Sequence, residues 1–204
     1  MSNRREPILG VSGVHVLVFS ALLLLFAIGP LAWSIHAAYA ESLSPLEKLA
    51  GPQFPSPSDC EKFLLRAAHR SHVAYCGPTH SGRDPVPGPE GAPGTQPYDV
   101  RAELVRWLAV NPDAVKLVDP AGIWLFGARL VHPLDLSNLT VAFPLGCVKC
   151  RLMEDSDFAF TQIPFLNLNG SQTQGIRADG LTMRGDIFLR SSGVNGEVSL
   201  LGAD

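Results

Sequence analysis

Between Ile123 and Leu200, apolar residues come in pairs two positions apart, and the pairs recur at a nearly constant step. An i, i+2 spacing puts two side chains on one face of a strand. The pairs are Ile123 with Leu125, Leu134 with Leu136, Leu145 with Cys147, and Phe158 with Phe160. They continue as Leu166 with Leu168, Ile176 with Ala178, Ile187 with Leu189, and Val198 with Leu200. Each first member follows the last by about the same interval, with one slip, at Phe158. The turn recurs with them, since Gly185-Asp186-Ile187-Phe188-Leu189 is answered by Gly196-Glu197-Val198-Ser199-Leu200.

This period is too short for helix-based repeats, and two periods make one coil of a β-solenoid. One coil cannot bury its apolar pairs alone, but stacked coils place each inward side chain about 4.8 Å above its equivalent and exclude water. Gly180, Gly185, Gly193 and Gly196 are expected at the corners, where a positive φ is often required. Upstream, "YDVRAELVRWLAV" places Val100, Leu104, Trp107 and Leu108 on one helical face. Asp99 is read as its N-cap and Asn111-Pro112 as its end. A solenoid needs such a helix, because its first coil otherwise exposes core and unpaired strand edges. The fold class expected is therefore mainly β, a solenoid with an N-terminal capping helix. An antiparallel sandwich with regularly spaced turns is the competing arrangement.

Ala128-Arg129-Leu130, Ser137-Asn138-Leu139-Thr140-Val141 and Ser156-Asp157-Phe158 resemble the small-(Asp/Asn)-(Leu/Phe)-x-x unit of pentapeptide-repeat proteins. The resemblance covers roughly residues 98–204 and implies a right-handed quadrilateral β-helix with four five-residue faces per coil. The same stretch looks like a group of bacterial membrane-associated proteins built from degenerate repeats, some of them described as oxidoreductases. No GxGxxG follows a strand here and no haem-attachment motif is present.

Residues 8–33 contain no Asp, Glu, Lys or Arg, and Val14 to Trp33 has the length of a membrane-spanning helix. Arg4 and Arg5 precede the run, so the positive-inside rule keeps the N-terminus cytoplasmic and places the bulk outside. The expectation is a single-pass anchor in the inner or plasma membrane. Ala38-Tyr39-Ala40 has the form of a signal-peptidase site, so secretion after cleavage at Ala40 is the alternative.

Composition then divides the chain into a membrane anchor or signal segment (1–40), a linker with a short helical unit (41–76), a Pro/Gly-rich linker (77–97), and the capping helix with solenoid repeats (98–204). Ser58-Asp59-Cys60-Glu61 has the form of a capping box and predicts a helix through about His69. Residues 77–97 hold six prolines and five glycines and are expected to be flexible.

Cys60, His69, His72, Cys76 and His80 carry zinc-type ligand chemistry, but their spacing fits no common finger. In an oxidising compartment Cys60 and Cys76 read as a disulfide, with unpaired thiols and a metal site as the alternatives. Cys147-Val148-Lys149-Cys150 is a CxxC, a redox candidate of low specificity because it lies in an apolar strand-like context rather than at a helix N-terminus. Asp155, Asp157 and Asp179 are the carboxylates that a carbohydrate-active β-helix would use.

The formal net charge of -3 excludes the basic stripe of a nucleic-acid binder, so no nucleic-acid partner is expected. No catalytic residue, metal or cofactor is expected either. The function read from the sequence is a non-enzymatic structural or protein-interaction module held at the membrane by its N-terminal helix. Its solenoid face would meet a protein partner, with Asp135, Arg177, Arg184, Asp186, Arg190 and Glu197 pointing outward. The alternative is a membrane-associated oxidoreductase or a carbohydrate-active enzyme. Ala203-Asp204 begins another repeat unit, from which a truncated copy of a longer solenoid is expected, or else end-to-end self-association.

Overall fold

The computed structural model describes residues 42–204. The expected anchor and the alternative cleavage site lie outside the described residues, among which no helix is long and apolar enough to cross a membrane. Leu43–Asp204 form one compact unit.

The back of the chain winds as a parallel β-solenoid of right-handed type, about four turns long. The first sheet joins β1 (Ala74–Tyr75), β3 (Ile123–Phe126), β6 (Leu145–Val148), β10 (Leu166–Asn167) and β14 (Ile187–Phe188). The second joins β2 (Asp99–Arg101), β4 (Arg129–Val131), β7 (Arg151–Leu152), β11 (Gln172–Thr173) and β15 (Gly193–Val194). The third joins β5 (Leu134–Asp135), β8 (Ser156–Asp157), β12 (Ile176–Arg177) and β16 (Val198–Ser199). The fourth joins β9 (Gln162–Ile163) and β13 (Thr182–Met183), with Thr140 bridging to Gln162. Ile123 stacks on Leu145, Leu166 and Ile187, so on this face every second apolar pair of the sequence returns to the same column. A four-faced coil spanning two such pairs is compatible with the pentapeptide-repeat geometry.

The register corrects one pair. Leu134, Ser156 and Ile176 are Cα partners, so pleat parity turns Ser156 and Phe158 inward and leaves Phe160 out. Phe158 is fully buried, while Phe160 is 65% exposed at a corner with φ 55°. The apparent slip in the repeat thus arose from following hydrophobicity past an inward serine.

Corners account for the period. Asn138, Phe160, Gly180 and Gly202 all have positive φ and form one column. Gly127, Lys149, Gly170 and Ser191 form another. The two columns alternate along the chain, so each coil turns through one left-handed residue of each. Of the four glycines expected at corners only Gly180 is left-handed, and Gly193 sits within β15.

On the N-terminal side, β1 and β2 begin a coil whose remaining faces are replaced by α3 (Ala102–Val110) and α4 (Pro112–Leu117). Helix α3 buries Leu104, Val105, Trp107 and Leu108 and covers the first full coil, as a cap must. Asp99 is not its N-cap. It lies in β2, buried, and forms an ion pair with the fully buried Arg129 (Nε to Oδ1 2.6 Å). The cap position falls to Arg101, which makes no side-chain capping bond. Asn111 closes α3 and opens α4 by accepting the amides of Asp113 and Ala114.

Two further helices, α1 (Pro45–Ala50) and α2 (Asp59–His69), each start with a complete capping box, Ser44 with Glu47 and Ser58 with Glu61. Glu61 also receives Nε and Nη2 of Arg101, both at 2.7 Å, which fastens α2 to β2.

The Pro/Gly-rich segment carries neither helix nor strand, yet it is not left free. It is the corner between β1 and β2 of one coil, lengthened into a strap. Arg129 donates to the carbonyls of Pro89 (3.2 Å), Glu90, Gly91 (3.2 Å) and Ala92 (3.2 Å). Arg151 Nε donates to Pro87 at 2.6 Å, and Lys149 Nζ to Gly82 at 3.4 Å. Segments without side-chain bulk can be ordered when cations of the underlying sheet satisfy their carbonyls.

Candidate functional site

Cys60 and Cys76 are joined in a disulfide with Cα atoms 5.0 Å apart, tying α2 to the end of β1. Their sulfurs are therefore unavailable as thiolate ligands. His69 Nδ1 is held by the carbonyl of Leu117 at 2.9 Å and His80 Nδ1 by that of Tyr75 at 3.0 Å. Among the described residues no group of three or more His, Cys, Asp or Glu is placed to hold a metal.

Cys147 and Cys150 are free and buried. Burial, and after it the neighbouring Cys150 thiol, pushes the Cys147 thiol well above its ordinary value. A redox dithiol needs the opposite shift and an exposed sulfur. The register explains both residues structurally. Cys147 occupies the inward column between Leu125 and Leu168. Cys150 precedes Ser171 and Ser192 in another column, whose hydroxyls donate to the carbonyls of Cys147 (2.6 Å) and Leu168 (2.7 Å). The Cys150 thiol lies 3.9 Å from the equivalent carbonyl, Leu125. The CxxC is thus an inward apolar site followed by a hydroxyl site that holds a thiol.

Asp155, Asp179 and Glu197 line a shallow cleft of about 370 Å³ beside Arg177. Asp157 does not join them, being paired to Arg177 across the sheet. The Ser199 hydroxyl and the Leu201 amide hold the Asp179 carboxyl below its ordinary value, opposite to the shift a general acid needs. Asp135 continues this outward column and is paired with Arg106 at 3.4 Å.

A different feature emerges on the outer face of the first sheet. Trp124, Gly146, Asn167 and Phe188 are successive register partners. Gly146 is required, because a Cβ there would lie 2.1 Å from Cε3 of Trp124. The indole lies across this gap, fixed by Nε1 donating to the carbonyl of Ala121 at 2.8 Å. Its ring is 6.0 Å from Phe165, which is 5.2 Å from Phe188. The Arg190 guanidinium stacks 5.3 Å from the centre of the Phe188 ring. Nearer the cap, Tyr75 packs on Phe126 at 5.5 Å and Lys149 lies over Phe126. Trp124, Phe165 and Phe188 are all half-buried, and their outer surfaces form a continuous aromatic run along the solenoid. The sequence placed Asp186 and Arg190 outward here and left the aromatic residues unread. The aromatics recur at no fixed spacing and meet only after the chain is wound coil upon coil.

Comparison with protein-family models, with curated proteins and with solved structures finds no match. What the fold and this face define is a class: a capped parallel β-solenoid with an aromatic outer strip.

Proposed function

We propose that the protein is a membrane-anchored, extracytoplasmic, non-enzymatic interaction module of the pentapeptide-repeat-like type, which receives a protein partner on the outer face of its first sheet. The charge-free run before Trp33, with Arg4 and Arg5 ahead of it, supports the anchor and its orientation. The four-faced coil supports the repeat class. The observation that carries the partner reading is the stacked strip of Trp124, Phe165 and Phe188 with Arg190 on its edge. Aromatic residues and Arg are the types enriched at the energetic centres of protein interfaces. The rings are held rigid by their neighbours and by Gly146, so little side-chain entropy is lost on docking.

The test uses the full chain in its membrane, with a photoreactive phenylalanine analogue at position 188 or, as control, at 177. A discrete protein adduct from 188 that disappears when Trp124→Glu is added, with none from 177, is expected. Equal adducts from both positions, an adduct indifferent to Trp124→Glu, or none at all would contradict the assignment.

A further inference from the structure

Apart from that strip, the C-terminal half of α2, the turn after it and β1 enclose a cleft of about 410 Å³. Its wall is apolar and partly aromatic, made by Phe63, Ala67, Val73 and Tyr75. Val73 and Tyr75 are each 37% exposed, a large apolar exposure for side chains next to a disulfide-tied core. Its rim is basic. Arg66, Arg70, His72 and His80 line it, and no carboxylate does, although the chain as a whole carries a net charge of -3. Glu47 sits to one side of the rim and holds Arg66 at 2.9 Å.

The remaining basic groups are not consumed in the same way. Among the described residues Arg70 makes no ion pair. His80 is oriented twice over: its Nδ1 donates to the carbonyl of Tyr75 at 3.0 Å, and its ring meets Phe63 edge-on at 5.0 Å. A carbonyl can only accept, so Nδ1 is the donor of this bond. The disulfide between Cys60 and Cys76 links the two walls, α2 and β1, and holds the cleft at a fixed width. A concave apolar wall with a few convergent polar groups, of this volume, is the usual form of a small-molecule site.

We propose that this cleft binds a small organic carboxylate with a flat apolar body. The body would stack between Phe63 and Tyr75, and the carboxylate would take the Arg70 guanidinium, whose planar fork matches it in two parallel bonds. This proposal does not rest on Trp124, Phe165 and Phe188, none of which lines the cleft; Tyr75, which does, packs on Phe126 at the capped end of that face.

The test uses full-length protein labelled with 3-fluorotyrosine, which gives one fluorine resonance for each of its three tyrosines, with Tyr75 assigned by Tyr75→Phe. The probes are 2-naphthoate and its neutral counterpart 2-naphthalenemethanol. Saturable movement of the Tyr75 resonance by 2-naphthoate is expected, with the alcohol binding about tenfold more weakly. Arg70→Gln is expected to weaken naphthoate about tenfold and leave the alcohol unchanged. An unmoved Tyr98 resonance shows that the Arg70 variant remains folded. Equal binding of acid and alcohol, naphthoate binding indifferent to Arg70→Gln, or no movement of Tyr75 by either probe would overturn the proposal.

Discussion

The first and last coils of the solenoid are built from the same unit and are buried very differently. Ile123, Leu125, Leu134 and Leu136 are at most 2% exposed, whereas Val198 is 41%, Leu200 43% and Leu201 75% exposed. The sequence pairs are equally apolar at both ends. What differs is the neighbour. The first coil is roofed by α3 and by the strands β1 and β2, crossed by the buried Arg129 to Asp99 pair, and bound by the strap. Nothing among the described residues stacks on the last coil. In a solenoid an inward residue is therefore only as buried as the coil above and below it makes it.

The largest effect should come from the roof. Arg129→Met leaves Asp99 charged and buried and releases four carbonyls of the strap, and a loss of about 3–5 kcal/mol in urea unfolding is expected. Residues 85–93 should become sensitive to protease in the same variant. A loss below about 1 kcal/mol would show that the pair is not what holds the capped end.

Next, equivalent truncations at the two ends should be unequal. Leu136→Ala removes a fully buried side chain and should cost about 2–5 kcal/mol. Leu200→Ala removes a 43% exposed one and should cost less than about 1 kcal/mol. Equal costs would break the comparison.

Acid should loosen both extremities before the middle. The Thr79 hydroxyl, and then the amides of Ser81 and Thr79, hold the Asp84 carboxyl below its ordinary value. Asp179 is held down in the same sense by Ser199 and Leu201. A depressed native pKa means that the unfolded state binds more protons, so this stabilisation is complete above the unfolded carboxyl value of about 4. It is lost as the pH falls through the native values. Pepsin should therefore cut the strap and the last coil first below about pH 4, and cutting first in the central coils would contradict this.

The smallest effects separate packing from chemistry. Among the described residues Ser156 Oγ is buried with no hydrogen-bond partner, so Ser156→Ala should stabilise by about 1 kcal/mol. Cys150→Ser places the hydroxyl that the next two coils already carry at that site, and should change stability by less than about 1 kcal/mol in either direction. A loss above about 2 kcal/mol in either variant would mean that the column assignment is wrong.

The period was legible because inward apolar pairs repeat along the chain, whereas the left-handed corners at Asn138, Lys149, Phe160 and Ser191 carry no glycine to mark them. Parity failed at Ser156, where the inward position holds a polar residue and the hydrophobic signal passes to Phe160. Asp99 looked like an N-cap because an acid before a helical run has that form, and only the second sheet shows it to be a strand residue facing Arg129. Arg129 itself was the unread signal, a cation inside the apolar run "GARLV" that had to find partners. It found them in the strap, which composition alone assigns to flexible chain. The aromatic strip was illegible for a geometric reason: Trp124, Phe165 and Phe188 are distant and unevenly spaced in sequence and meet through stacking alone.

Amide-to-amide nuclear Overhauser contacts between strands measure the winding directly. Contacts linking Ser156 to Ile176 and Ile176 to Val198, and likewise Leu145 to Leu166 and Leu166 to Ile187, are predicted, every one joining strands a full coil apart. Contacts joining sequence-adjacent strands in antiparallel order, such as Leu166 with Ile176, would contradict the solenoid.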